Sequence, residues 1–131
     1  MLEKRKVFAA LQQIESIAGE GNPVAVCIVN ENGNVLGYMQ MDNMGSRSFS
    51  MAFAKAYTAA KMGQTTAKFH ERLIKEQLTL ADFGDPSFTS IQGGVPVKQE
   101  NTLLGAVAVA GRKPEEDEKL AMVFAKILLS A

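Results

Sequence analysis

The chain has 131 residues, 47% of them hydrophobic, with 14 Lys+Arg against 14 Asp+Glu. That length suits a single domain, 1–131, in which helices pack on a sheet, and the charge balance argues against the basic face that a nucleic-acid partner needs. A lone cysteine excludes an intrachain disulfide framework and a multi-cysteine zinc site. No apolar run reaches membrane-spanning length, and the first six residues lack the apolar core of a signal peptide, so a cytoplasmic protein with no membrane partner is expected.

Residues 3–18 predict a helix. Val7, Ala10, Leu11, Ile14, Ile17 and Ala18 recur at three- and four-residue steps and make one apolar stripe. Gly19 and Gly21 stop the helix, and Pro23 prevents its return. Residues 24–29 and 35–41 are runs rich in β-branched and aromatic side chains on either side of Asn32-Gly33, a hairpin signal of the tight primed kind. In the first run Val24, Val26 and Ile28 face one way, and Ala25, Cys27 and Val29 the other. Both faces are apolar, so an interior strand covered on two sides is expected. Cys27, in mid-strand, reads as a buried inert thiol.

Asn43 or Ser46 is the expected N-cap of a helix over about 47–62. Phe49, Ala52, Phe53, Ala56, Ala59 and Ala60 form its inner side, and the alanines let a neighbouring element come close. A further helix over 67–77 turns Phe69, Leu73 and Ile74 inward. Residues 82–94, with Gly84-Asp85-Pro86-Ser87 and Gly93-Gly94, are the most loop-like part, held down by Phe83, Phe88 and Ile91. Residues 95–98 form a short strand that Pro96 puts at an edge. Residues 103–110 make a second interior strand, with Leu103, Gly105, Val107 and Val109 on one face and Leu104, Ala106, Ala108 and Ala110 on the other. Pro114 and the acidic run 115–118 open the last helix, whose stripe is Leu120, Val123, Phe124, Ile127 and Leu128. Hairpins alternating with helices imply an antiparallel sheet in an α/β (α+β) fold.

Several local motifs then line up. They are Gly21-Asn22-Pro23-Val24-Ala25-Val26, Gly33 in the hairpin, Met41-Asp42 after it, Lys55-Ala56-Tyr57-Thr58-Ala59-Ala60 with Thr65-Thr66 beyond, Gly93-Gly94-Val95-Pro96-Val97, Gly105-Ala106-Val107-Ala108-Val109-Ala110-Gly111, and Asp117. Their order and spacing resemble the GlcG/HbpS family, which includes the C-terminal domain of PduO-type corrinoid adenosyltransferases. The resemblance implies a profilin-like fold with an antiparallel sheet of about five strands covered by helices. It also implies a homo-oligomer that binds a small-molecule ligand: haem, a corrinoid or a small carboxylate. Haem-binding relatives use a histidine on the first helix, and here that helix has none.

The candidate ligand-binding residues are Lys55, Thr58, His70, Gly93, Gly94 and Asp42. His70, the single histidine, is a haem ligand or general base if it faces a pocket, and otherwise a surface histidine. Lys55, the charged residue of an alanine-rich helix, is an anion site or a solvated face with a snorkelling stem. Gly93-Gly94 offers backbone N–H groups for an oxyanion, or is simply a turn before an edge strand. Tyr57 could ligate iron, but packing with its hydroxyl at a rim is the preferred reading. No paired-carboxylate signature, nucleophile elbow, phosphate loop or dinucleotide fingerprint is present. A small-molecule-binding protein is therefore the first reading. A non-catalytic interaction module, or an enzyme acting on a small organic acid with Lys55, is the alternative.

Overall fold

The computed structural model describes residues 1–130; residue 131, the end of the expected domain, lies outside them. The elements are α1 (Lys4–Gln12), α2 (Ile14–Ala18), β1 (Ala25–Asn30), β2 (Val35–Gln40), α3 (Ser48–Met62), α4 (Thr66–Glu76), a 3-10 turn (Leu80–Phe83), β3 (Gly94–Gln99), β4 (Thr102–Ala110) and α5 (Pro114–Leu129). The strands form one antiparallel sheet in the order β2-β1-β4-β3, so the fold is α+β with helices on both faces.

The two central strands are those whose sequences avoid charge on both faces. Val24, Val26, Ile28, Val107 and Val109 point into a core with α1, α2 and α5, around Leu11, Ile14, Phe124 and Leu128. Ala25, Cys27, Val29, Ala106, Ala108 and Ala110 point the other way, against Ala52, Ala56, Ala59 and Ala60 of α3. Small side chains on both partners let α3 lie close on the sheet, whereas the core opposite holds the larger branched residues and Phe124. Each fully buried valine or leucine contributes on the order of 1.5–3 kcal/mol. The doubly covered character of both strands was therefore legible in the sequence.

Four strands stand where about five were expected. The stretch with room for a fifth, residues 77–93, turns at Gln77 (φ 56) and Gly84 (φ 63). Phe69 of α4 holds it down through edge contacts with Phe83 and Phe88, at 5.1 and 5.8 Å between ring centroids. These contacts favour a compact coil over an extended run.

Other expectations are corrected locally. The first helix breaks at Gln13 into α1 and α2, with the apolar stripe kept on one side. The hairpin is not a two-residue primed turn. Asn30 and Asn34 close a three-residue loop with positive φ at Gly33 alone, and Asn30 Oδ1 accepts from the backbone N–H groups of Asn32 and Asn34. Arg47, not Asn43 or Ser46, is the N-cap of α3, and no side chain caps it. Phe49, Ile74 and Val123 are exposed, because α3, α4 and α5 each turn a neighbouring stripe inward. Opposite β3, Leu104 is an extra residue in β4, and this bulge moves it to the α5 side of the sheet with Val107 and Val109. Pro96 does sit on an edge strand.

Candidate functional site

Four of the sequence candidates come together, in the interior. Lys55, on the sheet side of α3, is 2% exposed. Its Nζ donates to the Val109 carbonyl at 3.0 Å and pairs with Asp117 Oδ2 at 3.1 Å. Asp117 Oδ1 in turn accepts from the Arg112 N–H at 3.0 Å. Burial pushes the Lys55 ammonium below its ordinary pKa, and the facing carboxylate opposes that shift. Burial likewise raises Asp117, against the pull of Lys55. The expected anion partner of Lys55 therefore exists, and it belongs to the chain itself. Neither a solvated face nor an open anion site describes this lysine.

Gly93 and Gly94 pack on the same lysine. A Cβ on Gly93 would lie 2.7 Å from Lys55 Nζ and 2.8 Å from the Val109 carbonyl oxygen, and one on Gly94 would strike the Lys55 carbonyl. The Gly94 N–H donates to Thr66 Oγ1 at 3.0 Å, and the Gly93 carbonyl accepts from Val109. The glycines are needed for the close approach of β3 to α3, and the N–H of Gly94 is already satisfied. Thr58, fully buried, accepts from the Thr89 N–H at 3.0 Å and so ties the 77–93 segment to α3. Lys55, Thr66, Gly93, Gly94 and Asp117 form one buried polar knot that fastens α3, α4, β3, β4 and α5 together, and Thr58 adds a neighbouring tie to Thr89.

His70 lies elsewhere. It is exposed on α4 and lines a surface depression of about 450 Å³ with Ala67, Glu71, Ser90, Ile91, Gln92 and Pro114. Among the described residues its imidazole makes no hydrogen bond within the chain, so both ring nitrogens are free. The walls are chiefly apolar, with Ile91 41% exposed there. Residues 90–92 run into Gly93, so the polar knot holds one wall of the depression without entering it. Asp42 is separate again, beside Glu15, Gly21, Pro23, Met41 and Asn43 at a depression of about 320 Å³. The structure thus divides the six candidates into an internal four, a surface histidine and a distant aspartate. Among the described residues, no three His, Cys, Asp or Glu side chains converge as a metal site would require.

Tyr57 donates its hydroxyl to Asp85 Oδ2 at 2.7 Å, and Lys61 Nζ stands 5.4 Å from its ring centre. That bond pushes the tyrosine up and holds the Asp85 carboxyl below its usual range. Sequence reasoning had no partner for Lys55. Asp117 stands among the family motifs and among the acidic residues opening the last helix, and Thr66 in the Thr65-Thr66 motif, but the sequence assigns neither a partner. The available signal was that Asp117 sits where the stripe of α5 turns inward, three residues before Leu120. Among the described residues, no helix is long and apolar enough to cross a membrane.

Comparison with known proteins places this geometry. A family model described as "Haem degrading protein HbpS-like" matches residues 2–125. Protein GlcG of Escherichia coli strain K12 is 29% identical over 115 residues, covering 82% of this chain and 84% of GlcG. A double mutant of HbpS from Streptomyces reticuli superposes with a TM-score of 0.86 at 29% identity, covering 99% of this chain and 88% of that one. The crystal structure of a PduOC–haem complex superposes with a TM-score of 0.75 over 94% of this chain and 88% of that one; at 21% identity this is a likeness of fold. With a family match over nearly its whole length, and this sheet and helix arrangement, the chain belongs to the HbpS-like family.

Proposed function

We propose that this chain is a haem-binding member of its family that works as a homo-oligomer, with His70 as the residue that would hold the iron. The observation that carries the reading is the position of the single histidine. Its unengaged imidazole stands at the rim of a depression whose apolar wall is Ala67, Ile91 and Pro114, with Glu71, Ser90 and Gln92 as its polar lining. An imidazole nitrogen suits haem iron, and an apolar wall suits the edge of a macrocycle. The family description, a haem degrading protein, and the haem complex of the fold neighbour PduOC support a tetrapyrrole as the ligand class. A small carboxylate fits less well, because the buried cation that would attract it, Lys55, is already paired with Asp117. When bound, haem supplies redox-active iron. The chain's own part would be to offer the His70 imidazole nitrogen and the apolar contacts of Ala67, Ile91 and Pro114.

Titration of the purified protein with haemin, followed at the Soret band, tests this. A saturable red shift that His70→Ala abolishes is expected, with unchanged circular dichroism in the variant. A band that does not move overturns the haem reading. One that moves equally in His70→Ala removes His70 as the ligand.

A further inference from the structure

The two edges of the sheet are unequal. On β3 the backbone groups alternate inward and outward, and the Val109 N–H bond to the Gly93 carbonyl sets the phase: residues 94, 96 and 98 face away from β4. That edge is closed. Gly94 gives its N–H to Thr66, Pro96 has none, and Lys98 brings a charge.

On β2 the Met41 N–H bond to the Val24 carbonyl fixes the opposite phase, so Met41, Met39 and Gly37 face β1. The N–H and C=O groups of Tyr38 and Gln40 therefore point outward, and among the described residues they bond nowhere else in the chain. This edge carries no proline and no charge, since β2 reads Val-Leu-Gly-Tyr-Met-Gln. Apolar side chains crowd it. Val35, Leu36 and Met39 are 42–43% exposed, and Phe49, whose ring meets Tyr38 at 4.9 Å, is 44% exposed. The bulge at Leu36 limits the regular stretch to residues 37–40.

We propose that a second copy of this chain pairs antiparallel along β2, with the twofold axis at Met39. The inference rests on the homo-oligomeric reading above and specifies its contact. Strand 37–40 is self-complementary about that residue: Tyr38 of each copy faces Gln40 of the other, and both pairs carry outward backbone groups. Each Tyr38–Gln40 pair exchanges two backbone hydrogen bonds, and Met39 meets Met39 as the non-bonded pair between them. An uncharged strand meets its own copy without like-charge repulsion. The formal net charge of zero adds none at longer range. Pairing joins two sheets into one of twice the width and covers Val35, Met39 and Phe49 on both copies.

Two substitutions read the contact. Gln40→Pro removes an outward N–H that β1 does not use, so the monomer fold is preserved. Met39→Cys places two thiols at a non-bonded antiparallel pair, within disulfide reach, while native Cys27 stays buried. Sedimentation at micromolar concentration should give an even-numbered assembly for the wild type and a smaller species for Gln40→Pro with unchanged circular dichroism. Mild oxidation should cross-link Met39→Cys and leave Lys98→Cys, on the other edge, uncross-linked. An assembled wild type with no Met39→Cys cross-link, or with Gln40→Pro of the same mass, overturns the contact and leaves the homo-oligomeric reading intact. A monomeric wild type overturns both.

Discussion

Lys55 of α3 and Asp117 of α5 lie on helices at opposite faces of the sheet, yet their charges meet at 3.1 Å past the end of β4. Both are nearly excluded from solvent, at 2% and 1% exposure. Among the described residues, the pair and its bonds to Val109 and Arg112 are the one polar link between the helix layers on the two faces.

Removing one partner should therefore be far worse than removing both. Lys55→Met leaves Asp117 buried without a cation and should cost about 3–5 kcal/mol in denaturant unfolding. Lys55→Met with Asp117→Asn, which still accepts from Arg112, should recover much of that. Burial raises the Asp117 carboxyl above its ordinary 3.8, so its contribution to stability is full below that value and is lost as pH rises through the raised one. The deficit of Lys55→Met relative to wild type should be largest at neutral pH and shrink on acidification toward 3.8.

Gly93 is required at its position. Its φ of 139 is one that other residues rarely adopt, and a Cβ would press on Lys55 Nζ and the Val109 carbonyl. Gly93→Ala should destabilise by about 2–4 kcal/mol through backbone strain and overpacking. Gly19→Ala, at a site with open space around the added carbon, serves as the comparison and should cost only the strain of its positive φ. Thermal unfolding of the two variants side by side checks this.

Cys27 should be inert in the folded protein. It is fully buried in β1, and burial pushes its thiol up to about 12. Native protein should resist alkylation at pH 8 and react completely in denaturant. Rapid native labelling counted by mass would contradict the packing of β1 against α3.

The Tyr57–Asp85 bond should stabilise the 77–93 segment over a defined pH range. Asp85 is held below its ordinary 3.8, so its contribution is present above that value and is lost as pH falls through the lowered one. Tyr57 is raised above 10.0, so its contribution is full below that value and is lost as pH climbs through the raised one. Tyr57→Phe should speed amide exchange at Ser87 and Phe88 at neutral pH. The difference from wild type should vanish in strong acid, where the wild-type carboxyl is protonated too.

Element order, the two doubly covered strands, the edge position of Pro96 and the alanine face of α3 were all legible in the sequence. Each is written in local periodicity and in side-chain size, which act within a few residues. The same holds for Cys27, whose neighbours on both sides are apolar. Sequence also singled out Lys55, Thr58, Gly93 and Gly94, but with His70 and Asp42 among them and as ligand-binding residues.

What those residues do was decided only by the tertiary structure. Lys55 and Asp117 are 62 positions apart, and no periodicity in either helix says that one charge will neutralise the other. That outcome depends on how α3 and α5 straddle β4, a long-range consequence of sheet order. The bulges at Leu36 and Leu104 shift side chains between faces in the same way, because each depends on a partner strand. Local pattern determines which face of an element is apolar; only the packed sheet determines which polar groups are left without water and must find each other.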